Sequence, residues 1–169
     1  NYFYDIKPND YLKYFKQQYK NIDTDYIKKY FVNSKFNDQL VLFISLTNDS
    51  FKNNEFNFKI DFRNKKIVFQ VLKKKIDFKE INGSIKKLHL SCRKESFLNT
   101  IYNKLPWEDL LIGFQCRVKR SPNIYNHKFW YHFTNIYITH KHIRFTSNCN
   151  VCEKIETFFD NQYLKVNEI

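Results

Sequence analysis

A chain of 169 residues holds one domain's worth of sequence, and its 43% hydrophobic content, with 18 Phe and 12 Tyr, excludes a disordered chain. The 29 Lys and Arg against 17 Asp and Glu leave a formal charge of +12, the electrostatic footprint of a phosphate-rich partner. The longest apolar run, Leu40 to Leu46, is too short for a bilayer, so no membrane span is expected, and four cysteines in a chain this size make no disulfide scaffold.

In chain order, Asn9 or Asp10 caps a helix carrying Tyr11, Leu12, Phe15 and Tyr19 at helical spacing. A second short amphipathic segment follows with Asp25, Ile27, Tyr30 and Phe31, so residues 1–36 read as a helical N-terminus. Leu40 to Leu46 is a buried strand ended by Asn48-Asp49-Ser50. Phe56, Phe58, Ile60 and Phe62 alternate with Asn57, Lys59 and Asp61 as a half-buried strand, and a turn at Arg63-Asn64-Lys65 leads into Ile67, Phe69 and Val71. Asn82-Gly83 favours a tight turn in a basic loop before the strand Leu88 to Cys92.

A helix from about Glu95 to Asn103 presents Phe97, Leu98, Ile101 and Tyr102 on one face and stops before Pro106. Glu108-Asp109 reads as a solvated first-turn acidic pair and not as catalytic carboxylates, because adjacent helical residues face apart. Ile112, Phe114, Cys116 and Val118 alternate with Gln115, Arg117 and Lys119, which predicts a strand with a basic outer face. The aromatic run Phe129 to Ile138 and the short run His142 to Phe145 are expected as further strands, with a last helix from Glu153 to Phe159. The order of elements predicts an α+β fold, a mostly antiparallel sheet with helices packed on one face, formed by residues 1–169 as a single domain.

Three constellations invite a chemical reading. His140-x-His142 followed by Cys149-x-x-Cys152 has ligand-like spacing, yet it matches none of the usual zinc patterns, so no metal and no cofactor are assigned and a Cys/His metalloenzyme stays an alternative. With Gly83 and Gly113 as the only glycines there is neither a nucleophile elbow nor a phosphate-cradling loop, and no catalytic residue is assigned. Lys65, Lys66, Lys73, Lys74, Lys75, Lys79, Lys86, Lys87 and Arg93 crowd one stretch of strands and loops, where they would neutralise several phosphates. The competing reading is a solvated face made Lys-rich by AT-rich codons, in a chain with no Met and no Ala.

The run Lys87-Leu88-His89-Leu90-Ser91-Cys92, then Phe97-Leu98, Leu105-Pro106 and Gly113, resembles the middle of the bacterial-type large-subunit ribosomal protein five, with its KVTLRG strand, aromatic-rich helix and P-x(3)-DF-x-G segment. Phe78-Lys79, Asn82-Gly83 and Ile85 look like the family's FKIR loop, Lys65 to Lys75 is similar to its KPLITKARKS strand, and Ile143-Arg144-Phe145-Thr146 with Glu153 to Glu156 resembles its last strand and helix. The family's Thr, Arg and Gly fall on His89, Ser91 and Cys92, and its Asp-Phe on Leu110-Leu111. The resemblance implies a non-enzymatic constituent of a mitochondrial large subunit, encoded in an AT-rich, ciliate-like genome and residing in the matrix. Its partners would be 5S or large-subunit rRNA, P-site tRNA, a small-subunit head protein and other large-subunit proteins. Lys65, Lys66, Lys73, Lys74, Lys75, Lys86, Lys87, His89 and Arg93 would then contact RNA, while Phe78, Lys79, Asn82 and Gly83 would form an arm toward tRNA and the small subunit. A general RNA-binding module outside the ribosome is the other alternative.

Overall fold

The computed structural model describes residues 8–74, 76, 78 and 85–137, which gather into one compact unit. Helix α1 (Pro8–Gln18) leads to α2 (Thr24–Asn33), whose first turn is capped by Asp23 accepting from the Tyr26 backbone N–H at 2.9 Å. Ile27, Tyr30 and Phe31, three and four residues apart, form the buried stripe of α2. Strands β1 (Leu40–Thr47), β2 (Asn54–Asp61) and β3 (Val68–Leu72) follow as an antiparallel meander. Then come β4 (Lys86–Arg93), α3 (Lys94–Tyr102), α4 (Glu108–Ile112), β5 (Cys116–Ser121) and α5 (His127–Asn135).

The five strands lie in the order β3-β2-β1-β4-β5, with β1 and β4 parallel and every other pair antiparallel. This is the α+β architecture the alternation predicts. On the helix-covered face, Leu40, Leu42, Ile44 and Leu46 of β1 sit between Phe58 and Ile60 of β2 and Leu88, Leu90 and Cys92 of β4, all fully buried. Trp107 lies at the centre of the helical side of this core, with ring centroids of Phe133 at 4.9 Å, Phe129 at 5.4 Å and Phe97 at 6.0 Å. Its indole N–H donates to the Tyr30 hydroxyl at 2.7 Å, so the polar atom of the buried indole is satisfied.

Two expectations are corrected. The aromatic run from Phe129 forms α5 and not a strand, because its buried positions Phe129, Trp130 and Phe133 follow the helical repeat and fit between Phe36, Phe62 and Trp107. Packing of one stripe thus overrides the strand preference of the individual aromatic residues. The strand expected from Ile112 starts four residues later, since Ile112 closes α4 and Phe114 turns the chain with φ of 52°. The glycine between them is required by close approach, as a Cβ at Gly113 would stand 2.9 Å from the Asp109 carbonyl oxygen. Glu108 and Asp109 are exposed in the first turn of α4, as the acidic-pair reading has it. Cys92 and Cys116, opposite one another on β4 and β5, are free thiols. Among the described residues no helix is long and apolar enough to cross a membrane. The expected elements at 142–145 and 153–159 lie outside the described residues.

Replacing Trp107 by Phe strands the buried Tyr30 hydroxyl and leaves space at the centre of the core. Urea unfolding should register a loss of about 1–3 kcal/mol from the unsatisfied hydroxyl, before any cavity cost is added.

Candidate functional site

Because side chains alternate across a strand, the residues between the core positions face away from the helices. The register lines them up in rows across the sheet. Lys59 on β2, Phe43 on β1, His89 on β4 and Lys119 on β5 form one row. Asn57, Ser45, Ser91 and Arg117 form the next, and Asp61, Val41, Lys87 and Ser121 a third.

The centre of this face is polar and yet closed to water. Ser45 is 0% exposed, His89 6% and Asn57 8%. Phe78 contributes to this, lying over the face with its ring stacked on His89 at 5.7 Å and edge-on to Phe43 at 6.4 Å. Beneath it the Ser45 hydroxyl donates to Asn57 Oδ1 at 2.8 Å, and the Asn57 side-chain amide donates to the Lys74 carbonyl at 3.4 Å. Ser45 has only one proton to give, so its 2.9 Å contact with His89 Nε2 is made by the ring N–H donating to Ser45 Oγ. That fixes the tautomer. His89 Nδ1 is then a buried lone pair with no donor among the described residues.

Burial, followed by the charge of Lys119, lowers the His89 pKa to about 4, so the ring is neutral near pH 7. A serine already donating to an asparagine, beside a histidine whose proton points at it, is not arranged as a nucleophile and its base. The arrangement is suited instead to recognition: a buried acceptor surrounded by cations. Lys59 and Lys87 are half-buried and Lys119 and Arg117 exposed on this face, and none of the four is ion-paired to a carboxylate among the described residues. The carboxylate on the face, Asp61, is gripped by Arg63, whose Nε donates to Oδ1 at 2.8 Å and holds the Asp61 pKa below the usual carboxylate range. Arg117 and Arg93 both stand over the Phe51 ring, at 4.5 and 5.1 Å from its centroid.

The residues expected to contact RNA do not form one patch. Lys65 and Lys66 are exposed before β3, while Lys73 and Lys74 are exposed after it, about 17 Å away along the strand. Lys86 is tied to Asp38 at 3.2 Å, and Arg93 donates to Gln115 Oε1 at 3.0 Å and to the Asp49 carbonyl at 3.1 Å. Lys87 is half-buried on the face opposite the helices, and His89 is buried there. Phe78, expected on an outstretched arm, is laid on the sheet. Lys75, Lys79, Asn82, Gly83, His140, His142, Cys149 and Cys152 lie outside the described residues; among those described, no three His, Cys, Asp or Glu side chains cluster as a metal site would need. Ser45, Asn57, Lys59, Arg117 and Lys119 were missed as site residues. The basic outer alternation of Arg117 and Lys119 was the available signal, but it could not be placed opposite His89 before the strand order was known.

No family model matches the chain. A Danio rerio protein named cytidine monophosphate-N-acetylneuraminic acid hydroxylase is 32% identical over 92 residues, covering 43% of this chain and 16% of that protein. The Sus scrofa protein of the same name is 49% identical over 41 residues, 24% of this chain and 9% of its own length. A Homo sapiens protein named as the inactive form is 29% identical over 115 residues, 66% of this chain and 21% of that protein. The chain therefore spans 9–21% of the length of these relatives. Among solved structures, sterol carrier protein-2 like-3 from Aedes aegypti overlaps 76% of this chain and 94% of its own, with 10% identity and a TM-score of 0.41.

These relatives overturn the ribosomal function expected above, and with it the assignment to translation and the central protuberance. The segments that suggested it are an amphipathic strand, a helix and a proline-to-glycine turn, and these serve the core here: Leu88, Leu90, Phe97 and Leu98 are all fully buried. Apolar spacing of that kind recurs wherever a strand feeds a helix that packs back on its sheet. The relatives also bear an enzyme's name, which stands against a non-enzymatic reading of the chain.

Between pH 6.5 and 4 the unfolded chain takes up a proton on residue 89 that the folded state refuses, so stability should fall as pH drops through that window. The His89 share is on the order of 2–3 kcal/mol. His132, also lowered by burial, acts in the same sense. Thermal melts of His89→Gln should show a flatter pH dependence across this window than the parent protein.

Proposed function

We propose that this chain is the counterpart of one segment of a cytidine monophosphate-N-acetylneuraminic acid hydroxylase-like protein, and that it serves the hydroxylation of a nucleotide-linked sugar as a folded binding module. The observation that carries this reading is the 32% identity over 92 residues with the Danio rerio protein. The face opposite the helices supports a binding role. It gathers four cations around a closed polar centre, and the substrate in the relatives' name carries a phosphate and an acidic sugar. The hydroxylation itself belongs to the whole protein, of which this segment is a small part.

Grafting tests the reading. The matching segment of the Danio rerio hydroxylase is replaced by the described unit of this chain, and addition of one oxygen to the nucleotide sugar is followed by mass spectrometry. The hybrid should keep measurable activity, and the same hybrid with Leu42→Asp, which breaks the core under β1, should lose it. A soluble, folded hybrid without activity would contradict the assignment.

A further inference from the structure

We propose that Cys92 and Cys116 form a reversible modification site, a cross-strand disulfide that a peroxide makes at the margin of the sheet and that staples β5 to β4.

The placement comes from strand pairing. Cys92 and Cys116 stand directly opposite one another on β4 and β5, which run antiparallel. The next two residues along the ladder, Arg93 and Gln115, are joined by the Arg93 N–H donating to the Gln115 carbonyl at 2.9 Å. Hydrogen-bonded and non-hydrogen-bonded pairs alternate in an antiparallel ladder, so the two cysteines occupy a non-hydrogen-bonded pair. Such pairs bring the Cα atoms to about 4.5 Å with their side chains close together, and a disulfide accepts Cα separations of roughly 4.4 to 6.8 Å. The bond thus closes without a change of register.

The two thiols differ in a way that sets the order of events. Cys92 is fully buried in the core, whereas Cys116 is partly buried against it on β5, the last strand of the sheet. Hydrogen bonding with the Cys92 thiol lowers the Cys116 pKa against the opposing effect of burial, while the same contact, and then burial, raises that of Cys92. A small oxidant therefore meets Cys116 first. The Cys116 thiolate attacks one oxygen of the peroxide, the O–O bond breaks and hydroxide leaves, so that Cys116 becomes a sulfenic acid. The Cys92 sulfur then attacks the Cys116 sulfur. The S–O bond breaks, and the Cys92 proton departs with the hydroxyl as water. Two electrons pass from the thiol pair to the peroxide, and with hydrogen peroxide the products are the disulfide and two waters. The bond closes a loop that carries α3 and α4, and with them Trp107 at the centre of the core. Closing such a loop restricts the unfolded chain, which makes the oxidised protein the more stable form.

The test exposes the reduced full chain to a small excess of hydrogen peroxide, digests it with trypsin without reductant and reads the peptides by mass spectrometry. In monomeric protein, peptide 88–93 should appear joined to peptide 105–117, and dithiothreitol should release both. The oxidised protein should melt about 10 °C above the reduced one. Cys116→Ser should lose both the joined peptides and the gain in melting temperature, whereas Cys149→Ser with Cys152→Ser should keep both. Cys116 carried on to sulfinic acid with peptide 88–93 free, a bond from Cys116 to Cys149 or Cys152, joined peptides in a covalent dimer alone, or an oxidised protein that melts no higher would each overturn the proposal.

Discussion

Strand β1 is hydrogen-bonded along both edges, antiparallel to β2 and parallel to β4, and everything else in the fold depends on that double pairing. Its even-numbered residues, Leu40 to Leu46, hold the core against the helices, and its odd-numbered residues carry Phe43 and Ser45 to the other face. A slip of one residue against either neighbour would exchange these two sets, exposing four leucine and isoleucine side chains and burying Ser45 in the core. The apolar face therefore sets the register, and the register in turn brings Ser45, Asn57 and His89 within hydrogen-bonding distance.

The strand order also explains why the far face is closed. Strands β3 and β4 are not neighbours, since β2 and β1 lie between them in the sheet. Phe78, between these strands in sequence, lies over the polar face, where its ring stacks on His89. Polar groups under such a cover must satisfy one another, and the run from Lys74 through Asn57 and Ser45 to His89 does this up to its last atom.

Much of this fold is legible in the sequence because the apolar alternation of β1 and β2 and the helical stripe of α2 are set by local period. The helix α5 is not, since its aromatic residues favour strands individually and only their contacts with Phe36, Phe62 and Trp107 decide otherwise. The site is less legible still. Ser45 looks like an ordinary strand residue, and Lys119 and His89 are 30 positions apart until β4 and β5 pair. Counting lysines along the chain favoured the stretch from Lys65, whose described members Lys65, Lys66, Lys73 and Lys74 fall at the two ends of an edge strand, over Lys59, Lys87 and Lys119, which share one face of the sheet. The ribosomal reading failed for a related cause, because its motif residues are the apolar positions that any strand-helix pair needs.

The polar centre depends on a neutral, buried His89 whose ring proton is on Nε2. Nitrogen-15 NMR of the imidazole ring across a pH titration reads both properties from one sample. The account predicts the Nε2–H tautomer, with the ring staying neutral until the pH approaches about 4. An Nδ1–H tautomer, or titration at the ordinary 6.5, would mean that the polar centre under Phe78 is not assembled as described.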